Sequence, residues 1–249
     1  MKPIMELDNV EKTIYNDDAT LNILDGINLK IYPQDFIVVL GTNGAGKSTL
    51  LDAITGANKV TAGKILLNDK DITTENLAKR AQFISRVYQD PKLGTSPRMT
   101  VAENLLLAER RGLPRRLRSR RLKEHMPEFK EFISSMPTLD NRLNTFTEKL
   151  SGGQRQTLSF LMAIIQKPEL LLLDEHTAAL DPQTSADLMA ATDRTIKSKK
   201  LTCLMVTHNL SEAVAYGNRL IVLKKGKIIL DLNTEQKAKL KEEDLLEYF

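Results

Sequence analysis

Residues 41–49, with the sequence GTNGAGKST, have the composition and spacing of a phosphate-binding loop. The motif G-x-x-x-x-G-K-S/T requires a strand before it and a helix after it, and here it lies between the apolar run FIVVL and the segment KSTLLDAIT. Glycines at positions 41, 44 and 46 allow successive backbone N–H groups to face phosphate oxygens, and the following helix adds its positive end. A phosphate loop alone is equally typical of GTPases, kinases, helicases and transport ATPases.

The side chains of this loop predict a division of roles. Lys47 would neutralise the β and γ phosphates, and Ser48 would place its hydroxyl on Mg²⁺. Thr49 would support the loop or contact the α-phosphate. The other predicted nucleotide-binding positions of the loop are Gly41, Thr42, Asn43, Gly44, Ala45 and Gly46.

An acidic pair, Asp174 and Glu175, ends the apolar run LLLLDE. The carboxyl ends of parallel strands are where α/β proteins place ligands, so the pair is expected to face the phosphate loop. Asp174 would hold Mg²⁺, directly or through water, and Glu175 would accept a proton from the water that attacks the γ-phosphate. His208 ends the next strand, TCLMVTH, and is predicted to lie beside Glu175 and contact the γ-phosphate and the catalytic water.

A second anion-binding end is indicated by Ser151, Gly152 and Gly153. They offer a hydroxyl and backbone N–H groups directly ahead of the helical segment RQTLSFLMAII.

The elements that must position these residues follow an α/β pattern. The first 40 residues read as strands, a helix from Lys47 ends near Gly56, and GKILLNDKDI and FISRVYQD indicate further strands. Residues 100–149 are helix-rich and charged, with breaks predicted at Pro114, Pro127 and Pro137. A parallel-sheet pattern then resumes through ELLLLDE, TCLMVTH and RLIVL, with helices at 184–198 and 211–216, and the tail TEQKAKLKEEDLLEYF is predicted to be one polar surface helix.

The bulk composition narrows the class of protein. The chain has 249 residues, of which 41% are hydrophobic, enough for a sizeable core, so disorder is not expected. No run approaches the roughly 18 to 20 apolar residues of a membrane-spanning helix, and the N-terminus MKPIMELDNV lacks a signal-peptide core. The net charge of +4 suits nucleic acid, phosphorylated ligands or an anionic membrane face without choosing among them.

The order of the phosphate loop, LSGGQ at 150–154 and LLLLDE at 170–175 closely resembles the ATP-binding subunit of ABC transporters, over nearly the whole chain. The resemblance implies a P-loop NTPase fold of the ABC type: a mixed sheet, an antiparallel β subdomain and an inserted helical subdomain. It implies one domain over residues 1–249, with the core at about 1–90 and 160–249 and the helical subdomain at about 91–159. It implies ATP hydrolysis with Mg²⁺.

The resemblance also assigns roles that the residues alone do not. Gln89, in VYQDP, would contact the metal and the attacking water and report the position of the permease. Tyr15 would stack on adenine. The stretch from Ser151 to Gln154 would close over the nucleotide of a second subunit, and Asp181, in AALD, would lie near the seam between the two subunits.

The implied partners are transmembrane permease subunits, a second ATPase subunit that completes a homodimer or a heterodimer, and an extracytoplasmic substrate-binding protein. The implied location is the cytoplasmic face of the membrane. His176 stands where the family commonly has proline and Ala178 where serine is frequent; DEHTAALDP is similar to importers of the aromatic amino-acid type. An exporter's ATPase is the alternative within the class, and an iron–sulfur assembly ATPase the alternative outside it.

The basic run RRGLPRRLRSRRLKEH, residues 110–125, allows several interpretations. It could form a solvated face beside the membrane, contact acidic lipid headgroups, or dock permease loops or a regulator. Because no aromatic residues interleave with its arginines, nucleic acid is not an expected partner.

Overall fold

The computed structural model describes residues 2–16, 19–113 and 121–248. Within these ranges two sheets are formed by strands β1 to β10: Met5–Asn16, Ala19–Ile31, Phe36–Leu40, Ala62–Leu67, Lys70–Asp71, Ile84–Val87, Leu170–Asp174, Cys203–Thr207, Arg219–Lys224 and Lys227–Leu232. The first sheet is antiparallel, with the strand order β2-β1-β4-β5. The second has the order β10-β9-β3-β8-β7-β6 and is parallel except for the β9–β10 pair.

The helices within the described residues are α1 to α9: Lys47–Thr55, Leu77–Arg80, Val101–Glu109, Leu122–Ile133, Gly152–Ile164, Pro182–Lys199, Leu210–Ala215, Thr234–Lys237 and Glu242–Leu245. Short 3-10 helices cover Pro91–Leu93, Pro137–Leu139, Thr147–Lys149 and Leu246–Tyr248. None of these helices combines the length and the apolar character that crossing a bilayer requires.

The six-stranded sheet separates two parts of the core. Its inner strands, such as FIVVL and LLLLD, are buried at every position, as expected for strands covered on both faces. Val38 and Leu40 pack with residues of the later helices, whereas Ile37 and Val39 pack with α1 and the antiparallel sheet. Burying each such side chain contributes about 1.5–3 kcal/mol relative to leaving it exposed. The mixed sheet, the antiparallel β subdomain and the helical insertion between β6 and β7 confirm the predicted fold class.

The structure differs from the sequence analysis at three local points, and a fourth prediction lies outside the described residues. Pro127 does not break a helix, because α4 runs through it from Leu122 to Ile133. The C-terminal tail is not one helix but α8, α9 and a 3-10 turn, because Leu245 is drawn into the core and breaks the polar surface pattern. Strand β10 was not predicted, since its exposed alternating pattern at the sheet edge gives a weak signal. The predicted break at Pro114 lies outside the described residues, as do residues 115–120 of the basic run.

Candidate functional site

The phosphate loop connects β3 to α1, as its sequence predicts. Gly46 stands at the N-terminus of α1 with φ of 103°, a conformation that side chains rarely adopt. A Cβ atom at this position would also lie 2.7 Å from the carbonyl oxygen of Ile23. The loop therefore requires glycine at position 46 for both its backbone conformation and its contact with β2. The helix ends at Gly56, which is left-handed as expected for a C-terminal cap.

A cavity of about 560 Å³ opens above the loop. Its lining consists of Ile23, Asn43, Gly44, Gly46, Lys47, Ser48, Thr49, Gln89, Glu175 and His208. These include the predicted catalytic residues and most of the side chains of the phosphate loop. The free N–H groups at the start of α1 and the Lys47 ammonium make this end of the cavity suitable for anionic phosphate groups.

Lys47 is buried against its own loop. Its Nζ atom donates to the carbonyl oxygens of Gly41 at 2.8 Å and Thr42 at 3.1 Å, and lies 3.6 Å from Oε1 of Glu175. The ammonium group is thus held over the floor of the cavity, where it can neutralise phosphate charge.

Glu175 and His208 meet at the carboxyl edge of the sheet. Parallel pairing of β7 with β8 places Asp174 opposite Val206, so the residues that follow both strands emerge side by side. His208 Nδ1 lies 3.1 Å from Oε2 of Glu175. Glu175 has φ of 43°, in the left-handed region, and its N–H donates to the Val206 carbonyl oxygen at 3.1 Å. Strained backbone conformations of this kind cluster at functional sites, where the surrounding structure maintains them.

Glu212, which the sequence did not single out, connects the loops that carry Glu175 and His208. Its carboxylate accepts from the Thr207 hydroxyl at 2.6 Å and from the Thr177 hydroxyl at 3.1 Å. Thr207 directly precedes His208, and Thr177 follows Glu175 by two positions. The carboxylate therefore fixes the backbone on both sides of the Glu175–His208 contact.

Asp174 is buried and does not line the cavity. Its Oδ2 atom accepts from Nη2 of Arg86 at 2.6 Å, and Nη1 of the same arginine lies 2.5 Å from Oδ1 of Asp52 on α1. Neither Arg86 nor Asp52 was a predicted site residue. An arginine within the otherwise mostly apolar segment FISRV could have indicated a buried ion pair from sequence alone, because charged side chains are rarely buried unless they are paired.

The predicted SGGQ stretch begins α5. Ser151 Oγ accepts from the Gln154 N–H at 3.2 Å, while Gln154 Oε1 accepts from the Ser151 N–H at 3.1 Å. Ser151 and Gly152 are exposed and Gly153 is buried. A Cβ atom on Gly153 would lie 2.4 Å from Cγ2 of Thr184, so glycine allows α5 to approach the start of α6.

Several predicted residues lie outside the cavity lining. Ser151, Gly152, Gly153, Gln154 and Asp181 lie apart from the cavity, at the starts of α5 and α6, where Asp181 caps α6 by accepting from the Thr184 N–H. The ring of Tyr15 is 74% exposed on the β1–β2 hairpin, opposite Thr20. Gly41, Thr42 and Ala45 belong to the loop but do not line its cavity.

His176, which follows Glu175, is 2% exposed. Burial lowers its pKa to about 4, so the ring is neutral at physiological pH, with Nε2 3.5 Å from the Thr192 hydroxyl. It packs beneath the site rather than lining the cavity.

Comparison with known proteins places these features in a wider group. Residues 24–178 match the family model described as ABC transporter. The chain is 42% identical to the tyrosine transport ATP-binding protein of Clostridioides difficile, covering 99% of this chain and 98% of that protein. It is 32% identical to the phosphonates import ATP-binding protein PhnC of Lactococcus lactis, covering 95% and 96% of the two chains.

Solved structures are similar across the same span. A dimeric ATP-binding cassette in a post-hydrolysis state, bound to ADP and phosphate, superposes with a TM-score of 0.77 at 26% identity, covering 92% of this chain and 98% of that one.

Proposed function

The chain belongs to the ABC transporter family of ATP-binding cassettes, and from that premise we propose that it powers the import of an amino acid, of the aromatic class, through a separate permease. Membership makes the chain a nucleotide-binding ATPase that works with permease subunits and a second ATPase subunit. The observation that carries the amino-acid assignment is the 42% identity, over 99% of this chain, to a tyrosine transport ATP-binding protein. Import is favoured over export because the name of the phosphonate relative contains the word import.

The proposed hydrolysis uses the residues of the cavity. The nucleotide phosphates lie against the N-terminus of α1 and the Lys47 ammonium. Glu175 accepts the proton of the attacking water, and His208, 3.1 Å from that carboxylate, contacts the γ-phosphate and keeps the carboxylate oriented. A base of this kind contributes about 10²–10⁴ to the rate. Tyr15, with its ring exposed, is available for stacking on adenine.

The residues near the cavity also fit Mg²⁺. Ser48, Gln89 and Asp174 offer hydroxyl, amide and carboxylate oxygen atoms, the donor types that Mg²⁺ prefers. When bound, the ion would neutralise charge on the phosphate oxygens. Gln89 is exposed at the cavity rim, and the carbonyl oxygen of the preceding Tyr88 accepts from Gln156 of α5 at 2.9 Å. The Gln89 loop is therefore tied to the helix that begins with the SGGQ stretch.

Dimerisation completes the site in this proposal. Ser151 and Gly152 are exposed at the N-terminus of α5, away from the cavity of their own chain. Two copies related by a twofold axis would each present this edge, with Asp181 beside it, to the nucleotide held by the other. ATP would then draw the subunits together, and hydrolysis would release them.

The permease would dock in a groove of about 1050 Å³ between the sheet and the inserted helices. Its lining includes Arg86 of β6, Leu107 of α3, Arg111 and Leu113 of the loop that follows α3, and Met162 of α5. Leu107 and Leu113 are exposed large apolar residues, suited to contact with a partner. The helical subdomain, taken as residues 91–159, would carry motion from the nucleotide to this groove. We place the complex at the cytoplasmic face of the membrane, supplied by an extracytoplasmic substrate-binding protein.

Proteoliposomes that contain the permease and this chain test the proposal. The ATPase subunits face the vesicle lumen, which corresponds to the cytoplasm, and ATP is enclosed there. With the binding protein outside, this ATP should drive uptake of radiolabelled tyrosine into the vesicles. The matched control is Glu175→Gln, which should bind ATP without driving uptake. ATP-driven movement in the opposite direction, or uptake that ignores aromatic amino acids, would contradict the assignment.

A further inference from the structure

Arg86 bridges two carboxylates beside the catalytic cavity. Its guanidinium lies 2.6 Å from Asp174 and 2.5 Å from Asp52, and its side chain is 10% exposed. The Asp174 side chain is 12% exposed and that of Asp52 is 28% exposed. Such charge-assisted contacts are the strong class of hydrogen bond, so the geometry of the Asp174 carboxylate depends on Arg86.

The fold explains why these three groups meet. Arg86 pairs with Leu172 across the parallel β6–β7 ladder, and Asp174 lies two residues beyond Leu172 on the same face of β7. Helix α1, which carries Asp52, packs over that face. Burial alone would lower the pKa of Arg86, but hydrogen bonds to Asp174 and Asp52 raise it above its ordinary value, and the group stays cationic.

The charges around Asp174 affect how strongly this carboxylate can bind a divalent cation. One guanidinium serves two carboxylates, and Oδ2 of Asp174 is committed to it. A divalent ion that approaches Asp174 therefore meets a carboxylate that is already partly neutralised, and it is repelled by the neighbouring positive charge. Asp52 acts in the opposite direction, because it attracts the same guanidinium.

We propose that Arg86 is a positioning residue that sets the divalent-cation affinity of the ATP site, by competing with the ion for Asp174 while Asp52 counterbalances it. This inference rests on the proposed role of Asp174 as a metal ligand. Arg86 also lines the permease groove and lies 4.9 Å from the ring centroid of Tyr88, which precedes Gln89. A permease segment in the groove would thus meet the side chain that tunes the metal site.

Two substitutions test the competition because they act in opposite directions. Mn²⁺ replaces Mg²⁺, and its affinity for the full chain saturated with a non-hydrolysable ATP analogue is read from the free-ion EPR signal, corrected for the analogue alone. Arg86→Met should tighten Mn²⁺ binding by about tenfold, since it removes a positive charge next to the ion. Asp52→Asn should weaken it by about threefold, since Arg86 then pairs with Asp174 alone. A loss of structural support would instead weaken binding in both.

Arg219 supplies a matched control, because it also bridges two carboxylates, Asp35 and Asp231, on another part of the sheet. Arg219→Met should leave Mn²⁺ affinity unchanged. Asp174→Asn tests separately whether Asp174 binds the metal ion. Unchanged Mn²⁺ affinity in that variant would show that Asp174 is not a metal ligand. If Asp174→Asn weakens Mn²⁺ binding at least tenfold, Asp174 is a metal ligand and the other two variants decide the role of Arg86. Unchanged Mn²⁺ binding in Asp52→Asn, or weaker binding in Arg86→Met, would then refute the competition by Arg86. Asp52→Asn keeps the test decisive even if Arg86→Met does not fold.

Discussion

His208 Nδ1 and Glu175 Oε2 lie 3.1 Å apart at the carboxyl edge of the sheet. The other oxygen of the same carboxylate faces Lys47 Nζ at 3.6 Å. One carboxylate is therefore held between a histidine and the lysine of the phosphate loop, next to the cavity where the nucleotide is expected. This arrangement orients Glu175 before any substrate arrives, which is the condition for effective general-base catalysis.

Replacing Glu175 with glutamine should separate binding from hydrolysis. The change keeps the shape of the side chain but removes its ability to accept a proton. We expect the rate of ATP hydrolysis to fall by about 10²–10⁴ with ATP binding retained. Size-exclusion chromatography with ATP should then show a trapped dimer. Hydrolysis at the parental rate would show that another group is the base.

The contacts of Glu212 predict a positioning role. Glu212→Gln leaves one oxygen where two now accept from Thr177 and Thr207. We expect kcat to fall by about tenfold with KM for ATP little changed, because the catalytic loops shift while the phosphate loop does not. Glu235→Gln on α8, an exposed glutamate far along the chain, is the matched control. Equal kinetics for the two variants would rule out a positioning role for Glu212.

His176 should make folding stability depend on pH. Its pKa is about 4 in the folded protein and 6.5 when unperturbed, so the unfolded chain binds more protons between these values. Stability from the neutral buried ring is fully present above pH 6.5 and is lost as pH falls toward 4, by about 3 kcal/mol for this group. Urea unfolding at a series of pH values across this range gives the free energy of unfolding as a function of pH. That free energy should fall less steeply with decreasing pH in His176→Gln than in the parental protein.

Much of the site follows from sequence because its chemistry lies at strand ends and in one contiguous loop. The phosphate loop carries its own backbone pattern, and Glu175 and His208 end adjacent buried strands, so parallel pairing alone brings them together. Local rules also placed α1 between residue 47 and its glycine cap.

Other features depend on tertiary contacts that no local pattern records. Asp52 looks like an ordinary polar position on α1, and only packing over β6 and β7 reveals its pairing with Arg86. Glu212 looks like a first-turn helix residue, and its role appears only when Thr177 and Thr207 converge on it. The predicted helix break at Pro127 is wrong because proline lowers helix stability without always ending a helix.

Whether two chains share each ATP site can be measured directly by disulfide cross-linking. Asn43 is exposed in the phosphate loop and Ser151 is exposed at the start of α5. The native Cys203 is buried and its thiol pKa is raised by burial, so it should not compete. The Asn43→Cys, Ser151→Cys double variant in a Glu175→Gln background is oxidised with and without ATP and run on a non-reducing gel. Shared sites predict a covalent dimer that forms only with ATP; a disulfide confined to single chains, or no ATP-dependent dimer, would contradict the account.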